Sequence, residues 1–299
     1  MTTAISPISR QMSKPYLSLQ EFKNAPTALD YGNIVAGGSQ GAQDAELTNA
    51  ITRASSWIDQ YCNQIIGATV DTEQQRTRLR PDGTIRLHPK YFPIVALTAL
   101  SYGFTPLNSD QNVAADCSVA WLEEQEIIFP YAQLSNSWSS QGALSFGMPS
   151  NARAETYVRY SYINGYANAL TASSVLAGAT TITLDDGTGI VPGEQLTIYD
   201  GVSTERITVD ASYVFDSNTV PLTSPLQYAH AAGISVSALP AAIKEAAILV
   251  TSAYLKIRGD ASLVLGVTTR PGEQIDGSQK VGSDIAHAKE LLLPFRRIR

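Results

Sequence analysis

Five short segments between Ala169 and Leu239 decide how this chain is read: Thr180-Thr-Ile-Thr-Leu184, Gln195-Leu-Thr-Ile-Tyr199, Glu205-Arg-Ile-Thr-Val209, Thr219-Val-Pro-Leu222 and Ile234-Ser-Val236. Most alternate apolar with polar side chains, the period that gives a strand one buried and one wet face. Asp186-Gly187, Pro192-Gly193 and Asp200-Gly201 stand between them as turn formers. Strands spaced about 8–12 residues apart indicate a small β-sandwich or barrel. Charge also sets the stretch apart. Its seven acids (Asp185, Asp186, Glu194, Asp200, Glu205, Asp210 and Asp216) face one base, Arg206, and so carry the whole net charge of −6. Residues 169–238 are therefore expected to be an inserted acidic all-β module. Residues 1–168 and 239–299 would form a discontinuous core around it. A competing reading makes these strands part of one sheet with residues 156–163.

The flanks change texture. Ser18-Leu-Gln-Glu21 is a capping box that opens a short helix ending near Ala25-Pro26. From Gln43 to Gln64, the apolar positions Leu47, Ile51, Ala54, Ile58, Cys62 and Ile65 make one helical stripe, widened by Trp57 and Tyr61. A hairpin is expected over Thr77–Arg80, the turn Pro81-Asp82-Gly83 and Thr84–His88. Strands are expected at Ile94–Tyr102, Ser118–Trp121, Glu126–Phe129 and Thr156–Ile163. Past the module, Pro240 opens a helix that runs to Arg258. Thr268–Gly282 reads as a polar loop, and Ser283 as the cap of a last helix ending at Pro294. The expected fold class is α+β: a helical bundle with a small β-sheet and hairpin region, plus the inserted module.

Composition narrows the function classes. With 299 residues and 44% hydrophobic content the chain can bury a sizeable core, which excludes a mostly disordered protein. Charged residues are 16%, below the usual value of about 25%, as suits extensive contact with other chains. Two cysteines and three histidines leave no disulfide framework and no zinc cluster. Met1–Tyr16 lacks the apolar run of a signal peptide, and no segment approaches the length of a membrane span, so synthesis in the cytoplasm and no membrane partner are expected.

No catalytic constellation emerges, and neither a metal nor a cofactor is expected. Gly37-Gly38-Ser39-Gln40-Gly41 lacks the lysine of a phosphate loop, and Asp185-Asp186-Gly187 lacks the carboxylate spacing of a calcium loop. His88, His230 and His287 lie in separate segments. Glu123, Glu124 and Glu126 have the residue types of a glycosidase acid pair but read as a solvated strand edge. Arg76, Arg78 and Arg80 alternate on one strand face, and Arg86 on the partner strand would join them. That face suits either contact with acids on another chain or protection of an edge. The overall acidity argues against general nucleic-acid binding.

Several motifs together resemble the head-to-tail adaptor (connector) proteins of long-tailed bacteriophages. They are Tyr16-Leu-Ser-Leu-Gln-Glu-Phe22, Ile51-Thr-Arg-Ala-Ser-Ser-Trp-Ile-Asp-Gln-Tyr-Cys62, Leu87-His-Pro-Lys-Tyr-Phe-Pro-Ile-Val95, Leu239-Pro-Ala-Ala-Ile-Lys-Glu-Ala246, and Ala286-His-Ala-Lys-Glu-Leu-Leu-Leu-Pro294 with its basic end. The resemblance covers residues 16–165 and 239–299; the β module stands where simpler relatives pass directly to the C-terminal helices. It implies a non-enzymatic virion protein of the neck: a ring, expected to be a dodecamer, beneath the portal protein. Such a ring extends the DNA channel, without sequence-specific binding, toward a downstream neck or tail-completion protein. The close Phe295-Arg296-Arg297-Ile298-Arg299 is then the expected portal-docking arm, unstructured in the free subunit. The module is expected to face outward, where the capsid is a further partner. A head-completion stopper is the nearest alternative; a host-surface or carbohydrate-binding virion protein acting through the module is another.

Overall fold

The computed structural model describes residues 14–27, 29, 31–78, 80, 82–103, 113–130, 155–258 and 277–297. Among them lie thirteen strands in four antiparallel sheets and four α-helices. This corrects the expected fold class. Sheet dominates, and a helical bundle with a small β region does not describe the chain. Two compact units form, one of Met1–Gly67 with Tyr166–Arg299, the other of Ala68–Gly165.

In the unit Ala68–Gly165, β1 (Thr69–Arg78), β3 (Ile94–Gly103), β4 (Val113–Ala115) and β7 (Glu155–Asn164) form one sheet in the order β1-β7-β3-β4. β2 (Thr84–Leu87), β5 (Trp121–Glu123) and β6 (Glu126–Pro130) form another, in the order β2-β6-β5. Ile85, Leu87, Leu100, Tyr102, Ile127, Phe129, Val158, Tyr160 and Tyr162 make the core. β1 is largely what sequence periodicity missed, because its inner face is polar. The Glu73 carboxylate accepts hydrogen bonds from Tyr162 Oη (2.7 Å), Tyr160 Oη (3.3 Å) and the Lys90 N–H (3.0 Å). Asn164 donates to Asp71 at 2.8 Å. Such a strand is satisfied by hydrogen bonds, so burial does not require an apolar stripe.

The expected hairpin is also corrected. The turn forms, with the Arg80 N–H on Thr84 O at 2.9 Å and the Thr84 N–H on Asp82 Oδ1 at 2.9 Å. Its arms belong to different sheets, however: β1 pairs with β7 from Thr69↔Asn164 to Arg78↔Glu155, and β2 pairs with β6. β7 offers β1 a ladder of ten residue pairs, whereas β2 is four residues long. The longer ladder satisfies more backbone groups.

In the other unit, α1 (Leu19–Asn24), α2 (Gln40–Cys62), α3 (Ala241–Arg258) and α4 (Gly277–Leu292) share a core that includes Phe22, Leu47, Ile58, Ile243, Val250 and Leu292. α2 begins earlier than its apolar stripe because Ser39 caps it, accepting from the Ala42 N–H. α4 likewise starts ahead of Ser283, which is interior to the helix rather than its cap; residues 268–276 of the expected loop lie outside the described residues.

β8 (Asn168–Leu170), β9 (Thr181–Thr183), β10 (Gln195–Tyr199), β11 (Glu205–Thr208), β12 (Thr219–Pro221) and β13 (Ser235–Ser237) fall within residues 168–237. They form a sheet in the order β11-β10-β13-β8 and a β12-β9 pair. Their own apolar cluster includes Ile182, Leu184, Leu196, Ile198, Val209, Val220 and Val236. Gly187 is required where two turns meet, since a Cβ there would stand 2.3 Å from Ser217 O.

Lys244, in the first turn of α3, ties this β region to the helices. Its ammonium donates to Glu21 Oε2 and Ser235 Oγ, each at 3.1 Å, and sits 4.4 Å from the Tyr199 ring centroid. Burial pushes its pKa down, and Glu21 opposes that shift. Removing one partner of a buried pair strands the other charge. Lys244→Ala is expected to cost about 3 kcal/mol in urea unfolding, and the double change Glu21→Gln with Lys244→Met less than that.

Candidate functional site

Two ends of the described chain converge on the C-terminus of α2. Asn63 adopts the left-handed conformation (φ 56°), and its N–H reaches back to Asp59 O and Gln60 O to close the helix. On one side is Tyr16, fully buried. Its hydroxyl donates to the Asp59 carboxylate and accepts from the N–H groups of Ile66 (2.9 Å) and Gly67 (3.3 Å), while its own N–H donates to Ser55 Oγ at 3.0 Å. Burial and the Asp59 charge hold the Tyr16 phenol protonated, well above its ordinary range.

From the other side comes the C-terminal arm. The Arg297 N–H donates to Cys62 O at 2.9 Å, Asn63 Nδ2 to Arg297 O at 3.2 Å, and Gln64 Nε2 to Phe295 O at 3.1 Å. Phe295 packs half-buried against the helical core. The Arg296 guanidinium lies 5.3 Å from the Tyr61 ring centroid, and Tyr61 stacks on Trp57 at 5.5 Å with planes 6° apart. Tyr61 Oη also donates to Lys289 O at 3.4 Å, one turn before the exposed Leu293. The expectation of an unstructured arm therefore fails for Phe295, Arg296 and Arg297, which form a fixed ledge on α2. Ile298 and Arg299 lie outside the described residues. Sequence reading missed the platform because Trp57 and Tyr61 look like ordinary members of a buried stripe.

The four arginines separate. Arg76 and Arg78 point to the outer face of β1, with the Arg76 guanidinium 5.9 Å from the Tyr157 ring centroid; Arg80 is exposed at the turn. Arg86, on the other sheet, pairs with Glu126 at 3.2 Å, and Glu126 also meets His88 Nδ1 at 3.2 Å. Glu123 and Glu124 remain exposed at the β5–β6 tip, where Glu124 takes the left-handed conformation (φ 55°).

The acids of residues 169–238 are largely engaged within their own unit. Lys14 bridges Asp185 (3.0 Å) and Asp186 (3.1 Å). The buried His230 ring meets Asp200 through Nδ1 at 2.9 Å and Glu205 through Nε2 at 2.8 Å. With both ring nitrogens engaged by carboxylates, His230 works as a clasp between strand ends. Burial would raise the Glu205 pKa, but the Gln227 and Tyr228 N–H groups and His230 together bring it below its ordinary value. Asp210 accepts from the Ser212 N–H and hydroxyl in a local turn. His287 sits on the exposed side of α4, 3.6 Å from Glu290.

Among the described residues, no group of three or more His, Cys, Asp or Glu side chains is placed to hold a metal ion, and no helix is long and apolar enough to cross a membrane. No family model matches the sequence, and no curated protein matches it.

Two measurements follow from this geometry. Gln64→Ala removes a clamp on the arm, so trypsin is expected to cut after Arg296 and Arg297 several-fold faster than in the unchanged chain, with the rest of the digest unaltered. Burial pushes the Glu194 carboxyl from its ordinary 4.5 up to about 7. The folded state thus holds this proton more tightly than the unfolded chain. Its contribution is full below pH 4.5 and is lost as pH rises through 7. After allowing for partial solvation, that loss is on the order of 2 kcal/mol. Glu194→Gln, which keeps an acceptor for the Val191 N–H, is expected to flatten this part of the urea-midpoint profile between pH 4.5 and 8.

Proposed function

We propose that this protein is a structural component of the neck of a long-tailed bacteriophage. Copies close into a ring, taken to be a dodecamer, between the portal protein and the next neck or tail-completion protein, and the ring extends the channel through which DNA passes. The role is non-enzymatic and rests on shape and contact. Support comes from the ordered motifs that resemble the adaptor family, spread over residues 16–165 and 239–299.

The observation that carries the reading is the arm on α2. Trp, Tyr and Arg dominate binding energy at protein interfaces, and here Trp57, Tyr61 and Arg296 are stacked in advance. A ledge already ordered in the subunit loses little conformational freedom on docking. Arg296 is exposed and Leu293 is 56% exposed, so a cation and an apolar side chain stand ready on one short segment. Guanidinium groups suit such a contact because they are weakly hydrated and bind carboxylates in a fork.

The test is binding of the full chain to the portal protein encoded with it, followed by negative-stain imaging of the complex. The unchanged chain is expected to form a ring on the narrow end of the portal. Deleting Phe295–Arg299 is expected to abolish binding, and Arg296→Ala or Tyr61→Ala to weaken it roughly tenfold or more. Full-strength binding by the deletion would refute the assignment of the arm.

A further inference from the structure

We infer that Tyr16 is a positioning residue for the docking arm: through Asp59 and Gln64, its buried hydroxyl sets the turn on which Phe295, Arg296 and Arg297 rest. The inference rests on the neck reading for what the arm meets, and deepens that reading by naming what holds the arm ready.

The link is two residues long. Asp59 is used twice: its carboxylate accepts from the Tyr16 hydroxyl, and its main-chain O accepts from the Gln64 N–H at 3.2 Å. Gln64 is used twice as well, because its side chain donates to Phe295 O at 3.1 Å. Beside it, the Asn63 N–H closes on Gln60 O at 3.3 Å while the Asn63 side chain donates to Arg297 O at 3.2 Å. Residues 63–67 are therefore a turn gripped on two sides. The arm is bonded to its first two residues, and the Tyr16 hydroxyl takes the N–H groups of its last two, Ile66 and Gly67.

Burial makes the grip matter. Gln64, Ile66 and Gly67 are all buried, so a polar group released there reaches water only if the turn moves. Without the hydroxyl, the Gly67 N–H loses an acceptor, Asp59 loses a donor, and Ile66 keeps only a longer bond to Asp59 Oδ1 at 3.3 Å. The shift that repairs these losses passes to Gln64 and Asn63, which hold the arm. The rest of the segment around Tyr16 is fixed by other bonds. The Tyr16 N–H donates to Ser55 Oγ at 3.0 Å, Asn168 Nδ2 donates to Pro15 O at 3.0 Å, and the ring belongs to the helical core. Tyr16→Phe thus deletes the hydroxyl and leaves the segment docked.

Two contacts that grip one turn are coupled in both directions, each favouring the other by the same factor. An arm held in place also loses less freedom when a partner covers it.

Native-state hydrogen exchange on the full chain tests this, read at the Arg297 N–H, which donates to Cys62 O, and at the Ile66 and Gly67 N–H groups. Tyr16→Phe is expected to speed exchange at Arg297 on the order of tenfold and to leave the β10 and β11 amides as they were. Gln64→Ala, with Tyr16 in place, is expected to show the converse, faster exchange at Ile66 and Gly67. In the double variant, exchange at Arg297 should rise by less than the product of the two single effects, because both act on one turn. Effects that multiply, an increase spread evenly over β10 and β11, or unaltered exchange at Arg297 in Tyr16→Phe would each make Tyr16 ordinary packing and overturn the inference. Should Tyr16→Phe fail to fold, Gln64→Ala decides alone: faster exchange at Ile66 and Gly67 supports the coupling, and unaltered exchange there overturns it. Portal binding separates the two readings. Weaker binding by a Tyr16→Phe chain with a loosened arm supports both. A loosened arm with full-strength binding, or no binding by the unchanged chain, overturns the docking role and leaves the coupling standing.

Discussion

The C-terminal end of α2 is the constraint on which the helical part of the molecule depends. A helix leaves its last carbonyls without partners, and here they are taken up by chain from far away in sequence. Asp59 O and Gln60 O accept from the turn that follows, while Cys62 O accepts from Arg297, 235 residues later. Tyr16 fills the remaining corner and clamps both the Asp59 carboxylate and the chain leaving the helix at Ile66 and Gly67. The fold thus closes both described ends of the chain against one helix terminus, and the order of the arm is a consequence of that closure. Cys62, beneath the arm, has its thiol pushed up to about 12 by burial and by Asp59, so it is inert packing rather than a nucleophile.

Charge is handled in the same economical way. The acid excess of residues 169–238 looks, as sequence, like a negative surface able to repel DNA or attract a basic partner. In the structure most of it is spent internally: on Lys14, on His230, on backbone N–H groups, and on a half-buried Glu194. A net charge counted along a segment says nothing about where the field emerges, because a carboxylate paired at 3 Å contributes little beyond a Debye length. The acids left most exposed, such as Asp216, are too few to make a coherent patch. The meaning of the charge step therefore shifts from surface recognition to internal cross-linking of a small β region whose apolar core is modest.

Much was legible where local chemistry is decisive. The Ser18–Glu21 capping box forms both of its bonds, at 3.1 Å and 3.3 Å. The stripe Leu47, Ile51, Ala54, Ile58 and Cys62 is buried as its spacing requires. The strand read at 195–199 coincides with β10, and that at 205–209 covers β11 and runs one residue past it, because period-two alternation and Gly turns act together there. What escaped was non-local. β1 has a hydrogen-bonded rather than an apolar inner face, so pattern reading took only its last two residues, as one arm of a hairpin. The choice of β7 over β2 as its partner depends on ladder length, which no local signal reports. The same blindness explains the misplaced Arg86: grouping it with Arg76 and Arg78 assumed that a good turn implies paired arms. The ledge formed by Phe295, Arg296 and Arg297 was invisible for a related reason, since its partners Cys62, Asn63 and Gln64 lie at the other end of the chain.

A protein that acts by contact must solve a problem opposite to that of an enzyme. An active site gathers unsatisfied polar groups in a pocket, where their strain is repaid by substrate. Here, among the described residues, the most deeply placed charged groups are satisfied by the chain itself: Glu73 by two tyrosines and a backbone N–H, His230 by two carboxylates, Lys244 by Glu21 and Ser235. What is left unspent lies outward, in side chains that gain by being covered: Val70 on an edge strand, Trp121 and Leu122 on another, Leu293 beside the arm. Apolar surface held rigidly in water is a standing cost that a neighbouring chain can remove. That distribution among the described residues, with polar demand met inside and apolar demand left at edges, is the one that the proposed assembly role requires.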